Sequence, residues 1–79
     1  MSQRRNPNSI ADRLTREDQA RLRLDIALGD RGFAFVGFEP PSDGKGVVAI
    51  AINGDKVLMH LGRDEVDAMF RLASMAARP

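Results

Sequence analysis

His60 is the only histidine in the chain and the one side chain that would titrate near neutrality unaided. Base or nucleophilic chemistry built on it would need a hydroxyl or thiol within reach and an acid to orient the ring. Cysteine is absent from the 79 residues, which removes a thiolate nucleophile, a disulfide and a cysteine zinc site. On an extended segment His60 shares a face with Lys56 and Leu58, and a structural histidine is the reading that pattern favours. Asp64, Glu65 and Asp67 have the chemistry of hard-cation ligands, but no further carboxylate or histidine stands at a set spacing, and their clustering fits a helix start. Gly44-Lys45-Gly46 lacks the glycine five positions earlier and the Ser or Thr that a phosphate-cradling loop needs. It reads as a turn. No metal and no cofactor is implied.

The charges are spread unevenly around a net +1. Residues 1–38 hold seven arginines against five acids, while residues 39–67 hold three basic residues against six acids. A dedicated nucleic-acid binder carries a stronger basic face, because its affinity comes largely from neutralised phosphates. Direct nucleic-acid binding through Arg4, Arg5, Arg13, Arg16, Arg21 and Arg23 is the alternative that this distribution leaves. Asp55, Asp64, Glu65 and Asp67 offer the opposite, a negative surface for a basic partner.

The elements that must position these residues follow from pattern. A length of 79 residues is one small domain. Residues 1–8 are polar and read as a flexible arm, with a single domain over 9–79. Ser9 can cap a short helical turn through Ile10, Ala11 and Leu14. Thr15 followed by Glu17 and Asp18 is a second helix start, and residues 19–28 have high helix propensity up to Gly29 or Gly32. The strict alternation of Leu22, Leu24, Ile26 and Leu28 fits a strand as well. Capping and propensity agree on helix, and helix is the reading adopted.

Residues 33–38 read as a strand, broken by Pro40-Pro41. Val47 to Leu61 reads as a hairpin turning at Asn53-Gly54. Val48, Ile50, Ile52, Val57, Met59 and Leu61 then line one face, expected to be core. Ala49, Ala51, Lys56, Leu58 and His60 line the other, expected to be half wet. Asp64 caps a last helix. Around it Asp67, Arg71, Ser74 and Arg78 make a narrow polar stripe, and the apolar arc is wider than one sheet face can cover. What covers the rest of that arc, with Leu72 and Met75 on it, is either the Thr15–Leu28 helix or a partner: a larger host protein or ribonucleoprotein complex, or a second copy in a homodimer through this helix.

The expected fold is α+β, a three-stranded antiparallel meander with helices packed on one face. The expected core is Leu24, Leu28, Phe35, Val48, Ile50, Ile52, Val57, Met59, Leu61, Val66, Met69, Phe70 and Ala73. No apolar run is long enough to span a bilayer and no signal core leads the chain, so a cytoplasmic location is expected.

The α-β-β-β-α order resembles the double-stranded RNA-binding domain. That family opens its last helix with a basic cluster, where this chain has Arg63-Asp64-Glu65-Val66-Asp67. It also carries a Gly-Pro-x-His loop, where this chain has Asn53-Gly54-Asp55. As a lone, compact, cysteine-free chain without a catalytic set, the protein resembles the small inhibitors of phages and mobile elements, of the anti-CRISPR type. That resemblance implies a non-enzymatic protein that binds a host nucleic-acid-handling complex and blocks its target binding.

Overall fold

The structure is a computed structural model, and it describes residues 15–78. The expected short turn at Ser9–Leu14 and the arm before it lie outside these residues. The described chain runs α1 (Arg16–Gly29), β1 (Ala34–Glu39), β2 (Val47–Asn53), β3 (Lys56–Gly62) and α2 (Glu65–Ala76). The sheet is antiparallel in the order β1-β2-β3. This is the α+β meander expected from the pattern. No helix among the described residues is long and apolar enough to cross a membrane.

The segment read as helix forms α1, with Thr15 as its extended N-cap. Thr15 Oγ1 accepts the Asp18 N–H at 3.0 Å, and the Asp18 carboxylate accepts the Thr15 N–H at 3.3 Å. This reciprocal capping box satisfies two donors that a helix start otherwise leaves open. The alternating leucines split accordingly. Leu24 and Leu28, with Ala20, form the buried stripe, while Leu22 and Ile26 are exposed.

α2 begins as its acids suggest. Asp64 accepts the Asp67 N–H at 2.8 Å, and Asp67 in turn accepts the Arg63 N–H and the Arg71 Nε–H, each at 2.8 Å. At the far end the Arg31 guanidinium donates to the Ala76 and Arg78 carbonyls, both at 3.2 Å. Those carbonyls have no partner within the helix, so Arg31 both caps α2 and fastens it to the end of α1.

The wide apolar arc of α2 is covered from two sides. Ala68, Met69, Leu72, Ala73 and Ala76 are all buried, packed in one cluster with Ala20, Leu24 and Leu28 of α1 and Ala49 and Ala51 of β2. Leu72, a candidate for meeting a partner, is fully buried, because α1 and the sheet occupy both flanks of the arc. Met75 is half-buried against the same core. Phe70 is half-buried too, with the Arg16 and Arg23 guanidiniums over its ring at 5.1 and 5.6 Å.

The hairpin turns one residue later than expected. Asn53 pairs with Lys56, so Gly54-Asp55 are the turn residues. Gly54 has φ +62° and Asp55 is not left-handed, which is the pattern of a type II′ turn, with glycine required at its first central position. Ile52 then pairs with Val57, Ile50 with Met59 and Val48 with Leu61. The partner shift is two residues, so the expected face memberships are preserved.

The faces themselves are inverted. The helices pack on the side of Ala49, Ala51, Leu58 and His60. Val48 and Ile50 are half-buried on the opposite side, where Ile52, Val57, Met59 and Leu61 are exposed, so these six are not core. The reason is volume. Leu24, Leu28, Met69 and Leu72 descend from the helices, and a layer of large side chains packs at close distance onto small ones. Ala49 and Ala51 provide that floor in the central strand. A bulge in β1 supports it. Phe35 pairs with Ala51, and Phe38 with Ala49, because Val36 and Gly37 together oppose Ile50. Phenylalanines three apart thus share the helix-facing side, with ring centroids 5.2 Å apart and edge to face.

At the end of β3 the approach is closest. A Cβ on Gly62 would overlap the backbone of Ala68 in α2. Gly62→Ala should therefore push α2 off the sheet and destabilise the domain by about 2 kcal/mol or more. Urea denaturation followed by circular dichroism measures this, and an unchanged midpoint would mean that α2 is not seated as described.

Candidate functional site

β2 is apolar on both of its sides, in the run Val47-Val48-Ala49-Ile50-Ala51-Ile52. A strand of that kind is normally covered on both faces. Here the helices cover one. On the other, the pairs Val48–Leu61, Ile50–Met59 and Ile52–Val57 build a continuous aliphatic surface two strands wide. Beside it β1 presents Ala34, Gly37 and Glu39 in register with Ile52, Ile50 and Val48, and Val36 at its bulge. Val36, Val57 and Met59 are 55%, 52% and 54% exposed. Leu61 and Ile52 are also exposed.

With half-exposed side chains of this size, the patch measures on the order of 500 Å², near the upper end for a monomer surface. Covering it is worth on the order of 10 kcal/mol before the cost of association, at ~25 cal/mol per Å². Glu39, at a corner, is the one charged residue that the register places on the face.

The second apolar surface is an open groove of about 930 Å³ between the outer side of α1 and the C-terminal half of α2. Leu22 and Ile26 line it together with Ala73 and Ala77, with Arg23 and Arg78 also contributing. The alternating leucines marked this position, since a helix built from them must leave two on its far side.

A third, smaller hollow of about 310 Å³ brings His60, Asp67, Ser74 and Arg71 together. Ser74 was visible in the polar stripe of α2, but only the fold sets it beside His60. The residue types are those of a hydrolytic triad, yet the bonds that would connect them run elsewhere. His60 Nδ1, where an orienting acid would sit, lies 2.8 Å from the Leu61 carbonyl oxygen. The Asp67 carboxylate is taken up by Arg63 and Arg71. Among the described residues no cluster of three His, Cys, Asp or Glu side chains is placed to hold a metal ion.

The acids singled out from the sequence are not brought together. Asp55 lies in the β2–β3 turn, and Asp64, Glu65 and Asp67 lie beyond the other end of β3. Seven strand residues at ~3.3 Å each put these groups roughly 20 Å apart. Asp64 and Asp67 are also engaged in starting α2.

Of the arginines, Arg4, Arg5 and Arg13 lie outside the described residues. Arg16 and Arg23 cover Phe70. Arg21 lies 4.8 Å above the Phe35 ring and pairs with Asp25 at 3.1 Å. Their guanidiniums shield the aromatic edges of the core.

No family model, no curated protein and no solved structure matches this chain.

Asp67 is held in its charged form by its neighbours. The Arg63 backbone N–H, and then the Arg71 guanidinium, keep its carboxyl below the ordinary value of 3.8. A depressed carboxyl stabilises the fold fully above its unfolded pKa, and that contribution is lost as pH falls through the folded one. Asp67→Asn should therefore be less stable than wild type at neutral pH, with the gap closing as the pH drops below the carboxylate range. Urea midpoints at neutral and acid pH test this, and a gap independent of pH would contradict it.

Proposed function

We propose that this protein is a non-enzymatic protein-binding module, and that its contact surface is the helix-free face of the sheet. The observation that carries the proposal is the row of bulky aliphatic side chains, Val57, Met59 and Leu61 with Ile52 and Val36, left about half exposed on the face opposite the helices. An apolar face of this extent is costly to leave in water and is characteristic of an interface.

The geometry favours this surface over the charged ones. A negative surface that substitutes for nucleic acid needs a run of acids side by side, and here Asp55 stands at the opposite end of β3 from Asp64, Glu65 and Asp67. A phosphate-gripping surface needs free guanidiniums, and those of Arg16, Arg21 and Arg23 lie over Phe70 and Phe35. Recognition through the sheet is therefore apolar, and weakly dependent on salt.

The proposal separates two classes of substitution. Leu24→Ala, in the buried core, should cost about 2–5 kcal/mol of stability. Met59→Lys and Val57→Lys should keep the far-ultraviolet circular dichroism of the folded domain and lose the assemblies that the wild-type chain enters, read by gel filtration of a native extract. Charged variants that still enter the same assemblies would refute the sheet face as the contact surface.

A further inference from the structure

We infer that the sheet face is covered by a second copy of this chain, the two sheets stacking face to face about a two-fold axis that runs along the strands. The inference rests on the reading of that face as a protein-binding surface, and it names the partner.

Three features select a copy over a foreign protein. The first is chemical. A foreign partner is distinguished by polar contacts around an apolar centre, and among the described residues the strand register places one charged side chain on this face, Glu39 at its corner. The second is area. Two such patches together bury about 1,000 Å², the least that a biological interface needs. Only an occupant as wide and as apolar as the patch reaches that figure, and every molecule of the chain carries one.

The third is relief. β3 presents a ridge of Val57, Met59 and Leu61. Apart from Val36 at its bulge, β1 presents the small residues Ala34 and Gly37 with Glu39 at the corner. A two-fold axis along the strands sets each β3 above the β1 of the other copy and each β2 above its own counterpart. Ridge then meets trough twice, as an isologous interface requires. Stacked sheets keep their strands aligned within about 30° and lie about 10 Å apart, so Ile50 faces its own copy near the axis.

Light scattering and sedimentation equilibrium on the purified chain, from low micromolar concentrations upward, should give twice 8.7 kDa. Met59→Lys, and separately Val57→Lys, should remain folded by circular dichroism and dissociate about a hundredfold more readily. The chain has no cysteine, so Ile50→Cys introduces a single thiol. A short bis-maleimide should join it to its copy, and should fail to join Leu22→Cys on the groove.

A dimer that survives both lysine variants and cross-links through Leu22→Cys would overturn the inference by placing the interface on the helices. A monomer whose sheet face binds an apolar dye, with dye binding lost in Met59→Lys, would also overturn it, while leaving the face open for a foreign protein. A monomer that binds no dye would overturn both this inference and the reading of the face on which it rests.

Discussion

The contact on which the rest of this structure depends is the seating of α2 on the two alanines of the central strand. Ala49 and Ala51 leave a shallow floor, and Leu72, Met69 and Ala68 fill it without forcing the helix away. Gly62 is part of the same contact, since any side chain there would collide with the first turn of α2. Once α2 lies against the sheet, its remaining apolar flank must be closed from the side, and α1 closes it with Ala20, Leu24 and Leu28. The domain is thus a helix pair clamped over one face, and the clamp is tightened where Arg31 holds the carbonyl end of α2.

That seating decides which side of the sheet is left over. A three-stranded sheet with two short helices has enough helix to cover one face. The small-residue face allows the closer approach and takes them. The large aliphatic side chains of β2 and β3 then remain outside, on the face that the helices leave uncovered. In a domain this small the distinction matters, because the core is already modest. Folding uses one side of the central strand, and the association we propose uses the other.

The polar groups contribute mainly by position. The arginines of α1 lie along aromatic rings and form a cationic cover for Phe70 and Phe35. The acids before and within α2 are spent on its N-terminus. His60 is set against a backbone carbonyl. Each of these looks like a functional candidate as a residue type, and each is engaged locally once the neighbours are in place.

Much of this was legible in the residues alone. Thr15, Glu17 and Asp18 announce a helix start, Asn53-Gly54 a tight hairpin whose turn falls one residue later, and Asp64 with Asp67 a second helix start. All three elements follow because the signals are local, reaching no further than a turn or a strand pair. The face memberships of β2 and β3 were legible too, since they depend only on the period of two along those strands. Which face would be buried was not. Bulk and hydrophobicity point to Val48, Ile50 and Met59, and the choice went instead to Ala49 and Ala51. That outcome is a property of fit between the helix layer and the sheet, and it exists only when both are present. The bulge at Val36 and the capture of α2 by Arg31 belong to the same class, for they join residues far apart in the chain. Local order was written in the sequence, and the exposed surface was decided by packing.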